Sequence, residues 1–369
     1  MIDAVRSPTA ISTPHARAEI IGIQYLRGIA AMMVVAFHLV SQFRRMGYDG
    51  PWLGGLSSGV DIFFVISGFI MVVTTANKSI SPIEFWTKRI VRIVPLYWLV
   101  TAFMTAVLFI APRALQTGSY DGWHLLSSYL FIPAIHPVQH SMEPLVTPGW
   151  TLNYEMFFYL IFGLFLLAPA RVRFIGTAGT IGLLVILGAI FGLPRHSMAG
   201  FYTYPIMLEF VLGMALGEIA KRGDLYSHVP VAVGWVLLVG GLLFLILPPP
   251  IFEYLPRPFT RGPFAAAVVA GTLTLEAHRK VGEAWLLREV GNASYSIYIT
   301  QIVLTSALSQ VWRLIGLHHL PFGFVAFAVV DLILCAIGGW LCYRLVELPL
   351  THMLRPRRRD VFQIRAADA

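Results

Sequence analysis

The chain has 369 residues, of which 57% are hydrophobic and only 12% charged, and its mean hydropathy is +0.72. Soluble domains carry roughly 25% charged residues, so this sequence has too little polar surface to cover a water-soluble globule. The net charge of +8 does not point to nucleic acid, because basic residues gather in the cytoplasmic loops of membrane proteins.

The segment Met1–Glu19 is polar and holds Pro8 and Pro14. The apolar run that follows carries Arg27 and lacks a small-residue cleavage site, so it reads as a span and not as a signal peptide. A helix of about 20 apolar residues crosses a bilayer. Such stretches lie near Gly22–Phe43, Leu56–Ala76, Arg92–Ile110, Gly149–Ala168, Phe174–Leu193, Tyr202–Ala220, Val229–Leu247, Gly262–Glu276, Gly291–Trp312 and Phe322–Val346. The pattern predicts an all-α fold, a polytopic transmembrane helical bundle of about ten spans. Trp123–Ile135 is apolar but short and is expected to be re-entrant or interfacial.

With the N-terminus in the cytoplasm, ten alternating spans put 19 of the 27 Lys and Arg residues inside and seven outside, with Arg27 inside the first span. This asymmetry predicts that both termini are cytoplasmic. The chain then divides into a cytoplasmic N-terminal segment (1–21), a transmembrane domain (22–350) and a basic tail (351–369) that anchors topology against anionic lipid. Cys335 and Cys342 read as small packing residues. The Gly213-x-x-x-Gly217 pair reads as a close helix contact, and His318-His319 as solvated.

A charge inside the hydrocarbon costs kilocalories per mole, so intramembrane ionisable residues are functional candidates. Arg27 and His38 share the first span, about 16 Å apart at 1.5 Å per residue. Asp61 and Glu155 enter their own spans from the same side as His38 and reach a similar depth, with Glu209 a weaker fourth candidate. A His beside a carboxylate can take a proton from a hydroxyl, the carboxylate orienting the ring. Arg89 and Arg92 share a helix face at the start of the third span, and guanidinium forks suit phosphate oxygens. Each residue also has a plainer reading. His38 can be a bundle hydrogen bond, Asp61 a helix cap, Glu155 a partner of a buried Arg, and the Arg pair a topology anchor. A donor with phosphates at the cytoplasmic face and a long thin arm fits the spacing from Arg27 to His38, and coenzyme A has that shape. No metal-ligand spacing, phosphate-cradling Gly loop or Gly-x-Ser-x-Gly elbow is present.

At this point the residues resemble a known family. The run Tyr25–His38, beginning Tyr25-Leu-Arg-Gly, resembles the first span of the acyltransferase-3 family of integral membrane O-acyltransferases. Val60–Phe69, Arg89-x-x-Arg92 with Pro95-Leu-Tyr-Trp98, Trp150–Tyr159, Gly291–Tyr298 and Glu347-Leu-Pro349 are similar to its later motifs, in family order and over nearly the whole chain. The flavour is that of the exopolysaccharide-production branch. The resemblance implies ten helices, an acyl-CoA donor and transfer to carbohydrate in a bacterial inner membrane. It implies His38 as the catalytic residue, Arg89 and Arg92 in donor handling, and Glu155 as the family's acid. Many relatives carry a His where this chain has Gln301, which argues against a protonation role there.

The expected function is therefore transfer of an acyl group, most simply acetyl from acetyl-CoA, to a hydroxyl of a cell-surface or exopolysaccharide sugar, with no metal. Arg27, Arg89 and Arg92 hold the donor. His38 acts as base or accepts the acyl group first, and Glu155 or Asp61 orients it. The expected partners are a polysaccharide or lipid-linked sugar, membrane lipids and polysaccharide-synthesis proteins. Two rival readings are a proton-coupled secondary transporter, which the buried charges also suit, and a non-catalytic partner of a polysaccharide synthase.

Overall fold

The computed structural model describes residues 20–355 apart from 52, 77, 79, 113–118, 223–224 and 251–254. The N-terminal segment to residue 19 and the tail from residue 356 lie outside the described residues. Every regular element among those described is helical. The principal helices are α1 (Ile21–Arg45), α2 (Gly59–Thr75), α3 (Pro82–Ile110), α4 (Gly122–Tyr129), α5 (Trp150–Leu164) and α6 (Ala170–Ile190). They continue as α7 (Leu208–Lys221), α8 (Val231–Ile246), α9 (Gly262–Ala277), α10 (Trp285–Asn292), α11 (Ser294–Leu314) and α12 (Gly323–Cys342).

Each of the ten apolar segments read from the sequence falls on one of these helices. Seven of the helices, some with their flanking turns, are long and apolar enough to cross a membrane. The other three are α8 and α9, which are shorter, and α11, which buries Ser294, Ser296, Gln301, Thr305 and Ser309 along one side. The chain is a multi-pass membrane protein. Its polarity is inverted relative to a soluble bundle: Asp61, Glu209, Gln301 and Asp331 are fully enclosed, while Leu183, Ile186 and Ile190 of α6 face outward. Only lipid makes that arrangement favourable, because hydrocarbon accepts apolar side chains and penalises polar ones.

One helix start departs from the sequence expectation, and another is set by a distant residue. The third helix starts at Pro82 and not near Arg92. The Ser81 hydroxyl caps it by accepting from the Glu84 amide at 3.1 Å, with Pro at the first helical position, a strong start signal that an apolar window passes over. The first helix starts with help from far away: the amides of Ile21 and Gly22 donate to the Glu276 carboxylate at 3.1 and 2.9 Å. A carboxylate there satisfies two orphan donors and complements the helix dipole.

The innermost crossing is that of α2 over α7. A Cβ at Gly68 would lie 2.0 Å from the Phe210 carbonyl oxygen, and one at Gly213 would lie 1.9 Å from that of Val65. Backbone thus meets backbone, as small residues allow in membrane helix pairs. Beside the crossing, Phe210 packs between Phe64 and Phe158, with both ring centroids at 4.5 Å.

The short apolar segment near residue 123 forms α4 and then a tied loop back to α5. The Tyr97 hydroxyl and Trp98 indole of α3 donate to the carbonyls of Ser128 and Tyr129 at 3.0 and 2.8 Å. His124 Nε2 donates to the Glu143 carbonyl at 2.8 Å, and the Leu145 amide donates to Ser128 Oγ at 2.9 Å. His136 Nδ1 accepts the amides of Val138 and Gln139, each at 3.2 Å. Burial of the ring, then the neighbouring His124 and His140, hold its pKa down to about 4.

Candidate active site

The site begins with α1, α2, α3, α5 and α11, which enclose a cavity of about 100 Å³. Arg27 enters from α1, Ser67 from α2, Arg89 and Arg92 from α3, Glu155 and Tyr159 from α5, and Ser294, Tyr295 and Tyr298 from α11. On α5 the positions Thr151, Glu155 and Tyr159 recur every four residues, and that spacing lays them along one face. The Glu155 carboxylate accepts from Ser67 Oγ at 2.8 Å and from the Tyr159 hydroxyl at 2.5 Å.

Arg27 donates to the Gln24 carboxamide at 2.9 Å. Arg89 lies over the rings of Phe85 and Tyr159 at 5.5 and 5.7 Å, and its Nε has no hydrogen-bond partner among the described residues. Among the described residues, none of Arg27, Arg89 and Arg92 takes part in an ion pair. The carboxylates of Glu155 and Glu347 act on Arg27 from a distance, and Glu347 is itself engaged by Ser296 Oγ at 2.6 Å. Three cations around a small polar cavity, with two distant acids, leave capacity for an anionic ligand.

His38 does not line this cavity. It sits eleven residues beyond Arg27 on α1, about 16 Å along the axis, and faces the Gln301 side chain of α11. Among the described residues, His38 Nδ1 and both amide atoms of Gln301 are buried without a well-aligned partner. Gln301 lies one turn past Tyr298, a residue that does line the cavity and whose hydroxyl donates to the Pro148 carbonyl at 3.0 Å and contacts Thr151 Oγ1 at 2.8 Å. His38 and Gln301 therefore lie just beyond the cavity's inner end. Buried polar groups normally find partners, and these atoms, like both amide atoms of Asn153, have none in good geometry among the described residues.

The expected convergence of His38, Asp61 and Glu155 does not occur, and here the sequence reading is corrected. Asp61 is bound in both oxygens by Arg257, through Nε at 2.9 Å and Nη2 at 2.6 Å. Glu209 lies buried beside that pair, and Arg261 donates to Ser57 Oγ at 2.6 Å. Glu155 is drawn instead to the arginine cavity. Counting residues from a helix end gives depth in the membrane but not the face on which a side chain emerges. Asp61 emerges toward α7 and the turn before α9, and His38 toward α11. The sequence reading also passed over Ser67, Tyr159 and Arg257. The four-residue repeat on α5 pointed to Tyr159, and nothing local pointed to the other two. Among the described residues, no group of three His, Cys, Asp or Glu side chains could hold a metal ion.

The fold and the site together define a helical membrane bundle with cationic and carboxylate groups gathered around an internal cavity. Residues 20–344 match the model of the acyltransferase domain family, and the chain belongs to that family. It is similar to the exopolysaccharide production protein ExoZ of Rhizobium meliloti, 37% identical over 82% of this chain and 92% of the relative. It is also similar to the acyltransferase MdmB of Streptomyces mycarofaciens, 26% identical over 90% of this chain and 92% of that one. The peptidoglycan O-acetyltransferase OatA of Listeria monocytogenes is 25% identical over 92% of this chain but only 57% of its own length. No solved structure matches.

Proposed function

We propose that this protein transfers an acyl group, acetyl in the simplest case, from an acyl-CoA to a sugar hydroxyl of a cell-surface polysaccharide at a bacterial inner membrane. The observation that carries the reading is the convergence of Arg27, Arg89 and Arg92 on one cavity without an ion-pair partner among the described residues. Guanidinium forks are suited to phosphate oxygens. The relatives named for exopolysaccharide production and peptidoglycan O-acetylation support a carbohydrate acceptor.

In this reading both termini and the arginine cavity face the cytoplasm, in keeping with the distribution of Lys and Arg. The donor phosphates rest on Arg27, Arg89 and Arg92, and the arm carries its thioester inward past Tyr298. His38 takes the proton of the sugar hydroxyl as that oxygen attacks the thioester carbonyl. The carbon–sulfur bond breaks, and the proton passes from His38 to the thiolate. In the two-step variant His38 accepts the acyl group and passes it to the hydroxyl. Gln301, facing the ring, holds its orientation, and Glu155 fixes Tyr159 and Ser67 in the donor cavity. The transmembrane domain 22–350 carries the chemistry, and the basic tail touches anionic lipid.

The test is the ester content of surface polysaccharide, read by proton NMR before and after mild base. A deletion strain would carry either the wild-type gene or His38→Ala at equal membrane abundance. Ester only with the wild type is the expected result and identifies the acyl group. Equal ester in both strains removes His38 from the chemistry, and ester in neither removes the polysaccharide as acceptor. Release of free thiol from acetyl-CoA by purified protein in nanodiscs checks the donor independently.

A further inference from the structure

A second chamber opens on the other flank of α5. Its volume is about 290 Å³, near the lower end of small-molecule sites, which run from about 300 to 1,000 Å³. Trp150 and Tyr154 line it from α5, Glu143 from the tied loop, Arg195 and Tyr204 from the turns before α7, and Arg257 from the turn before α9. Trp150 and Tyr154 are four residues apart and form one stripe of the helix. Thr151, Glu155 and Tyr159 form the adjacent stripe and face the arginine cavity. One helix is thus the common wall of two chambers.

The chemistry of this chamber differs from that of the arginine cavity. Aromatic rings dominate: Trp150 meets Tyr154 edge to face at 5.9 Å, and Tyr154 stacks on Phe201 at 4.0 Å. Arg195 lies over the Tyr204 ring, its guanidinium carbon 4.0 Å from the ring centroid, and, among the described residues, takes part in no ion pair. Arg257 is held in place by Asp61 at 2.6 Å, so its charge is already spent. Glu143, likewise outside any ion pair among the described residues, supplies a carboxylate acceptor on a loop pinned by His124 and Ser128. The half-buried Trp150 ring, with one donor fork and one acceptor on a tied loop, suits a pyranose, which has an apolar face and a rim of hydroxyls that both donate and accept. Among the described residues, a phosphate-bearing donor would find one guanidinium outside any ion pair here against three in the arginine cavity.

We infer that the chamber between α5, the loop carrying Glu143 and the turns before α7 is the acceptor subsite, binding one pyranose unit of the saccharide against Trp150 between Glu143 and Arg195. This rests on the acyl-transfer reading above for its role, though not for the binding itself. The remaining saccharide continues out of the chamber mouth, since the volume holds little more than one ring.

The experiment uses the full chain in nanodiscs and oligosaccharides cut from the producing strain's own surface polysaccharide after base removal of its esters. Binding is measured by calorimetry with no acyl donor present, on the wild type, Arg195→Ala, Arg195→Lys and Glu143→Gln, with coenzyme A binding measured in parallel. The expected result is at least a tenfold rise in oligosaccharide Kd for Arg195→Ala and Glu143→Gln, partial recovery in Arg195→Lys, and an unchanged Kd for coenzyme A. Unchanged oligosaccharide Kd in all variants would overturn the assignment, as would the absence of wild-type binding at millimolar concentration. Oligosaccharide binding lost in the variants, with no ester formed by the wild type when acetyl-CoA is added, would keep the subsite and reject the acyl-transfer reading. Ester formed at wild-type rates by all variants would do the reverse.

Discussion

Asp61 and Arg257 join parts of the chain 196 residues apart through two hydrogen bonds, Nε to Oδ1 at 2.9 Å and Nη2 to Oδ2 at 2.6 Å. The guanidinium also donates to the Ser57 carbonyl at 2.8 Å. The carboxylate is wholly enclosed. The pair therefore ties the start of α2 to the turn before α9 and fixes one wall of the second chamber.

Removing one member of such a pair leaves a buried charge without its partner and costs about 3–5 kcal/mol. Asp61→Asn and Arg257→Gln are each expected to lower the unfolding temperature of the purified protein sharply. The double variant should lose clearly less than the sum of the two single losses. Thermal unfolding in detergent checks this, and strictly additive losses would show that the two residues are not coupled.

Gly68 and Gly213 are expected to reject even a methyl group. Gly68→Ala and Gly213→Ala would each drive a Cβ into a carbonyl oxygen of the facing helix. Overpacking costs about 1–3 kcal/mol, and a backbone obstacle places these at or above the top of that range. Gly182→Ala in α6, where a Cβ meets nothing within 4 Å, should be neutral or stabilising by about 0.5–1 kcal/mol. Folded yield and unfolding temperature of the three variants decide the point.

The donor role proposed for the cavity makes a kinetic prediction. Arg89→Ala and Arg92→Ala should raise KM for acyl-CoA about tenfold each, some 1.4 kcal/mol of binding, with kcat little changed. Steady-state thiol release in nanodiscs measures both constants. A fall in kcat at unchanged KM would place these arginines in the chemical step instead.

The loop that presents Glu143 should be acid-sensitive. His136 is neutral in the fold, its pKa held at about 4, whereas an unfolded histidine binds its proton near about 6.5. Between those values the unfolded state holds more protons, so stability falls as pH drops from about 6.5 toward about 4. His136→Asn keeps an acceptor for the Val138 and Gln139 amides and removes the titration. Its unfolding temperature should vary less over that window than the wild type's.

Much of this was determined by the sequence alone. Long apolar runs in a chain that is 57% hydrophobic left only lipid as a solvent and only helices as spans. The order of the motifs around Arg27, His38, Arg89, Arg92 and Glu155 marked the family. Arg89 and Arg92 fell on one face because helical periodicity is a local property. The tertiary structure alone decided which faces meet. Depth along a span follows from counting residues, but the direction of a side chain around the helix axis depends on which neighbour packs there. Counting residues puts Asp61 and His38 at a similar depth, and they part company for that reason: Asp61 meets Arg257 on a turn 196 residues away, and His38 meets Gln301. The two stripes of α5 could be written down from residues 150–159. That they open into separate chambers is set by α2, α3 and α11 on one side and the loops before α5 and α7 on the other, contacts that no local pattern encodes.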